Sequence, residues 1–351
     1  MNPVIKWLNR NLSNPQIVYL LLTVSFGLVA AVFMARTLAP VIAAVIIAYV
    51  LDSGVTRLRK LKLPKLLCVW IVFASFFAVL VVSFFVLAPV VFDQVGQFIQ
   101  QMPNMFNKVQ EYLLGLPAKY PQFIEKRQIR DLMTSLGSDA AKFGQRIVTF
   151  SLNSILALGT YVVYLVLVPL MVFFFLKDKE AIFAWFSRFL PEERGLITKI
   201  WLDANVQFSS YIRGKVWEII VVGFASYITF RFLGLNYSAL LGVSTAFSVV
   251  IPYIGAAVVT FPVAGVAFFQ FGLTQECLNA IIAYWVIQAI DGNILVTILF
   301  SEVVKIHPIA IVVAILIFGS FWGFWGVFFA IPLATLVQSI INAWPSDKEA
   351  A

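Results

Sequence analysis

Long apolar runs alternate with short polar intervals along most of the chain. The runs fall near 16–35, 37–51, 66–92, 147–176, 216–233, 238–271, 278–300 and 308–342. Most reach the roughly 20 residues that a helix needs to cross the hydrocarbon core of a bilayer. They are long and unbroken, whereas a membrane barrel would show short alternating segments. The pattern predicts an all-α polytopic membrane protein of seven to eight transmembrane helices, some of them broken or folded back as hairpins. The run at 37–51 is short and follows its predecessor after only Arg36-Thr37, which predicts a tight hairpin. The block at 238–271 carries Pro252-Tyr253-Ile254-Gly255 and, ten residues on, Pro262-Val263-Ala264-Gly265. Proline removes a helical hydrogen bond, so this block is expected to kink or fold back. In the last block, Gly319 and Gly323 form a small-xxx-small face suited to close helix packing.

Two intervals between runs keep a helical apolar stripe. In 93–146, Val95, Phe98, Ile99, Met102, Phe106 and Val109 recur at i, i+3, i+4, i+7 spacing, and Ile129, Leu132, Met133 and Leu136 do so further on. Residues 177–215 repeat this on a smaller scale, with Pro191-Glu192-Glu193 marking a helix start. The expected organisation is three transmembrane helices in 1–92, an amphipathic helical segment at 93–146 and a transmembrane helix at 147–176. A second amphipathic segment at 177–215, a bundle with discontinuous helices at 216–344 and a tail at 345–351 follow.

Composition agrees with a lipid solvent. Of the 351 residues 61% are hydrophobic and 12% charged, with mean hydropathy +0.94; a soluble domain carries about 25% charged residues. The net charge of +8 reads as span-flanking basic residues, so no nucleic-acid partner is expected. Arg57, Arg59, Lys60, Lys62 and Lys65 crowd one short loop, and Lys6 and Arg10 lie two spans earlier. By the positive-inside rule that loop and the N-terminus are cytoplasmic, 93–146 is extracytoplasmic and 177–215 returns to the cytoplasm. The apolar stretch from about 16 is too long for a cleaved leader and reads as a retained first helix. Cys68 and Cys277 read as inert buried thiols.

Catalytic signatures are missing. Gly214-Lys215 lacks the other residues of a Walker A loop, so ATP is not expected to drive this chain. There is no HExxH and no GxSxG, and the single histidine, His307, precedes Pro308 as a capping or interface residue. No enzyme activity, metal or cofactor is expected. What remains is polar residues at membrane depth, where each is costly and a candidate for function. Arg213 and Lys215 either sit at the interface and snorkel or line a pathway; Lys215 and Glu218 are three apart and can pair. In "WVIQAIDGNILVTIL", Gln288 and Asp291 share a face of a continuous helix, with Asn293 pointing away. Asp291-Gly292-Asn293 is also a turn signal. The reading preferred here is a break, with Gly292 ending one half-helix and Asn293 capping the next. Broken helices line substrate and ion sites in transporters; a polar helix–helix contact is the structural alternative. The candidate solute pathway is Arg213, Lys215, Glu218, Pro252, Tyr253, Gly255, Gln288, Asp291, Gly292 and Asn293.

The stretches "VLVPLMVFFFLKDKE", "YIRGKVWEIIVVG", "LGLNYSALLGV", "IPYIGA" and "WGFWGVFFAIPLATL" resemble the autoinducer-2 exporter (AI-2E) family over nearly the whole chain. The resemblance implies a bacterial inner-membrane protein with an extracytoplasmic helical segment, assembled as a homo-oligomer, a pentamer as in relatives. The family signature Gln-x-x-acid-Gly-Asn-x-Leu-x-Pro falls on Gln288, Asp291, Gly292, Asn293 and Leu295. Asp291 stands where many members have Glu, and Thr297 where many have Pro. Some members resemble exporters of a signalling molecule and others cation/proton antiporters. The chain therefore reads as a permease or exporter in contact with membrane lipid, moving a small polar solute or signalling molecule without ATP. The alternatives are a cation/proton antiporter, with Asp291 or Glu218 titrating, and a membrane scaffold that binds partners through 93–146.

Overall fold

The computed structural model describes residues 38–119, 164–188, 195–252, 254–300 and 307–343. The expected first span, Tyr253, and the parts of the 93–146 and 147–176 segments between 120 and 163 lie outside them. Every described element is helical: α1 (Ala39–Arg59), α2 (Lys65–Lys119), α3 (Tyr164–Lys177), α4 (Lys179–Ser187), α5 (Gly195–Phe232), α6 (Ser238–Ser248), α7 (Ile254–Phe271), α8 (Gln275–Ile290), a π turn (Asp291–Leu295), α9 (Val296–Phe300), α10 (Pro308–Trp322) and α11 (Phe324–Ala343). Among the described residues five helices are long and apolar enough to cross a membrane, and three shorter ones are apolar. The chain is an all-α polytopic membrane protein.

Helix ends and hydropathy boundaries do not coincide. α2 runs 55 residues through the expected boundary at 92/93. At 1.5 Å per residue it is about 82 Å long, far more than the roughly 30 Å hydrocarbon core. Pro89, Pro103 and Pro117 lie inside it. α5 runs 38 residues through the expected boundary at 215/216. It is the central helix, packed by α1, α6, α8, α9 and α11, and this shelters the polar residues it carries.

Ion pairs fix one end of the bundle. Lys179 reaches Asp52 at 2.8 Å, and Lys65 pairs with Glu180. The basic loop after α1 and the start of α4 therefore share that end. The hydrogen bond from Lys65 holds the Glu180 carboxyl below the ordinary carboxylate range. The opposite end is clamped by Gln270, whose side chain accepts from Asn236 N and donates to Gly234 O, each at 2.7 Å. The far half of α2 lies against this end: Tyr237 donates to Gln101 Oε1 at 2.7 Å, and Phe98 stacks edge-on against Tyr237.

Those contacts make α6 and α7 a hairpin. α6 starts beside residue 236 and α7 ends beside residue 270, so both open ends are at one end of the bundle, and the tip at 249–252 lies inside. The tip turn is bonded locally, Val250 N to Phe247 O, Ile251 N to Ser248 O and Gly255 N to Ile251 O. Backbone satisfied in this way is a condition for irregular chain at membrane depth. The fold-back predicted for 238–271 is thus present, while Pro262 stays within α7. Gly223, Gly242 and Ala246 bring α5 and α6 together: a Cβ on Gly223 would stand 2.6 Å from Ala246 Cβ, and one on Gly242 2.9 Å from Tyr227 Cβ.

α10 and α11 form a second hairpin, turned the other way. Tyr211 donates to Phe328 O at 2.9 Å and Gln207 to Ser339 Oγ at 3.5 Å. α11 therefore runs antiparallel to α5, toward the end at which α5 begins. The turn is Gly323, at φ +58°, a conformation that suits glycine. Of the expected small-residue face, only Gly319 serves packing, against Val327; Gly323 is the turn. His307 Nδ1 accepts from Ile309 N at the start of α10, the expected cap.

Candidate functional site

Lys215 and Glu218 sit one turn apart in the middle of α5 and are 3% and 2% exposed. Lys215 Nζ lies 2.6 Å from Glu218 Oε2, an ion contact outside hydrogen-bond geometry, and donates to Val249 O at 2.9 Å. It also stands 5.4 Å from the centre of the Phe300 ring. Val249 caps the C-terminus of α6, where carbonyls lack helical partners and the helix dipole favours a cation. A buried ammonium is tolerable here because a carboxylate, a helix end and an aromatic face surround it. Snorkelling to the interface does not describe Lys215.

Asp291 faces this pair from the start of the π turn that follows α8. It is 7% exposed, and its Oδ1 and the Gln288 Nε2 are buried without a protein hydrogen-bond partner. Both line a cavity of about 530 Å³. α5 contributes Tyr211, Lys215 and Glu218 to its wall, and the first hairpin tip contributes Val249, Ile251, Pro252, Ala256 and Ala257. The second hairpin closes it with Ile311 and Ile331. Tyr284 OH donates to Ala256 O at 2.7 Å, which ties the first hairpin to α8.

The expected break at Asp291-Gly292-Asn293 is absent. The helix continues through a π turn over Asp291–Leu295 and into α9. Gly292 is not left-handed, and Asn293 does not cap: its Nδ2 donates to Ala289 O at 2.8 Å from an exposed position. Thr297 gives the reason. Its hydroxyl donates to Asn293 O at 2.7 Å, and its backbone carries the N–H that a proline would lack. One surplus residue is absorbed as a π turn, a feature frequent at functional sites. Gln288 and Asp291 consequently share the cavity face.

Of the other expected pathway residues, Gly255 packs the hairpin rather than lining the cavity. A Cβ there would stand 1.7 Å from Ser248 O. Arg213 lies outside the cavity, its guanidinium on Ser209 and Ser53. Sequence reasoning missed the Val249 carbonyl, Tyr211 and the Phe300 ring. A backbone oxygen leaves no residue-type signal, and two aromatics among so many do not stand out.

Removing one partner of a buried ion pair leaves an uncompensated charge. Lys215→Met is expected to lower stability by roughly 3–5 kcal/mol, Glu218→Gln by less because Asp291 still faces Lys215, and the double variant to regain part of the Lys215→Met loss. Thermal melts of the three purified proteins check this; a double variant no better than Lys215→Met would assign the stability to other contacts.

Residues 20–346 match the sequence profile of the AI-2E family transporters. The chain belongs to the AI-2E transporter family. It is 44% identical over 345 residues to "Putative permease PerM" of Escherichia coli (strain K12), covering 98% of each chain. It is 26% identical over 318 residues to "Putative transport protein YueF" of Bacillus subtilis, covering 88% of this chain and 84% of that one. "Putative transport protein YrrI" of the same organism is 22% identical over 302 residues, with 85% and 84% covered. Membership makes this AI-2E chain a membrane transporter, and the cavity is where its buried polar groups converge.

Proposed function

We propose that the chain is a permease of the bacterial inner membrane, its N-terminus and the 52–65 loop cytoplasmic, that moves a small polar solute or ion through the cavity between the hairpin tips. Transport is not driven by ATP. One observation carries the reading: Asp291 Oδ1 and Gln288 Nε2 are buried, face a cavity of about 530 Å³ and lack protein partners. Such groups cost free energy unless something else satisfies them. A solute with a hydrogen-bond donor and acceptor does so. The mostly apolar remainder of the wall suits a small molecule that leaves again. Assembly as a homo-oligomer, a pentamer by family resemblance, accords with the exposed Phe84, Phe85 and Phe92 on α2.

A charge count favours cation/proton antiport as the second reading. Glu218 and Asp291 set two negative charges against the one positive charge of Lys215, so a cation or a proton completes the site. Proteoliposomes with a lumenal pH dye separate the two. Cation-driven pH change marks an antiporter; solute flux without it marks a permease.

Gly292→Leu tests the cavity under either reading. Nothing lies within 4 Å of a Cβ at Gly292, which lines the cavity. Leu is the better helix former by up to about 1 kcal/mol. The variant is expected to melt no lower than the parent and to lose about tenfold or more in flux. Unchanged flux would place the pathway elsewhere.

A further inference from the structure

A second cavity, of about 310 Å³, lies at the ion-paired end of the bundle, between α1, α4 and α5. Arg213, Ser53, Ser209 and Asn205 line it, with Phe183 and Trp201 at its rim. Its hydrogen-bonding capacity is unbalanced. Arg213 meets no carboxylate among the described residues; its guanidinium donates to the hydroxyl oxygens of Ser53, at 3.5 Å, and Ser209. Both serines accept from Arg213, so their own protons remain to be given. The Tyr49 hydroxyl occupies the backbone and side-chain oxygens of Asn205, which leaves that amide as a donor. The one carboxylate in the wall, Asp52, is held by Lys179 at 2.8 Å. The half-buried guanidinium thus heads a set of donors in a wall whose one carboxylate is already paired with Lys179.

We propose that this pocket binds a phosphate-type oxyanion, either the headgroup phosphate of an anionic phospholipid or a soluble phosphate. Arginine's planar fork matches phosphate oxygens two at a time, and the serine and amide donors supply further hydrogen bonds. Phe183 and Trp201, rings 6.2 Å apart and 48% and 55% exposed, form an amphipathic rim of the kind found at membrane–water interfaces. Exposed Arg57, Arg59, Lys60 and Lys62 at the same end raise the local concentration of anions. The pocket does not share a wall residue with the Asp291 cavity, so the inference stands or falls independently of the transport reading.

The test uses the full chain and needs no transport assay. Protein reconstituted with phosphatidylglycerol or with phosphatidylcholine is returned to detergent, and bound lipid is counted by native mass spectrometry. In parallel, detergent-purified protein is melted in inorganic phosphate and in chloride at equal ionic strength. A lipid site retains phosphatidylglycerol, and Arg213→Gln lowers its occupancy about tenfold, as loss of a charge-assisted hydrogen bond implies. A soluble-anion site shows a phosphate-dependent rise in melting temperature that Arg213→Gln abolishes. Ser209→Asp supplies Arg213 with a carboxylate from within; it should lose either response while melting at least as high as the parent. Equal phosphatidylglycerol and phosphate responses in the parent and in Arg213→Gln overturn the proposal. If Arg213→Gln does not fold, the Ser209→Asp protein decides: binding as strong as the parent's overturns it, and lost binding upholds it.

Discussion

Asp291→Asn protein in liposomes is expected to fold as well as the parent chain, or better, and to lose most of its transport. Asp291 is 7% exposed and its Oδ1 has no hydrogen-bond partner in the protein. A carboxylate held at membrane depth costs roughly 3 kcal/mol even on the lenient insertion scale. Asn keeps the size and shape and removes that cost, so melting should not fall. What it also removes is the negative charge opposite Lys215 and Glu218. If that charge receives the solute or the coupling ion, flux drops by about tenfold or more, the effect of one lost charge-assisted contact. Asp291→Glu restores the charge on a longer arm and should recover part of the flux. Equal flux in the parent and Asp291→Asn would reduce the carboxylate to a structural residue.

Gly255→Ala and Gly326→Ala are expected to be the most damaging Gly→Ala changes among the described residues. The added Cβ would lie 1.7 Å from Ser248 O in the first case and 1.8 Å from Phe318 O in the second. Both contacts are with backbone at a hairpin tip, where no side chain can swing away, so one helix must move off its partner. Overpacking of this kind costs about 1–3 kcal/mol or more. Gly265→Ala is the control. It stands in the second Pro-x-x-Gly, yet the nearest atom to its Cβ is Phe269 Cε2 at 3.9 Å, and alanine favours the helix. Melts should rank Gly265→Ala at or above the parent and the other two well below; three equal melts would remove the close approach as the reason for these glycines.

The spans were legible because lipid permits few ways of satisfying a backbone, so apolar length alone marks a helix. Hydropathy was a poorer guide to where helices end, since it records the surrounding solvent. The change at 92/93 falls within α2 and the change at 215/216 within α5. Gln288 and Asp291 were legible as a pair because their spacing puts them on one helix face. Gly292 and Asn293 misled for the opposite reason. Their turn preference is a weak local bias, and inside a bundle it yields to the free energy of keeping every backbone bond; the outcome is a π turn. Arg213 and Lys215, two residues apart, read as one group. A helix sends such neighbours to different sides, and they line different cavities.

Pro89 and Pro103 give α2 a directional softness. Each lacks an N–H, so within the helix the Phe85 and Ile99 carbonyls have no donor four residues on. These two gaps are fourteen residues apart, about 40° short of four full turns at 100° per residue. They fall almost on one side of the helix, and the flexure that one permits adds to that of the other. The intact bonds lie on the opposite side, so α2 opens on the side of the gaps and bends away from it. α2 is thus a boom with a preferred plane of compliance, its near end held by Lys65 and Glu180 and its far part resting on Tyr237 and Phe268. Flexure of α2 is therefore easier in one plane than in the others.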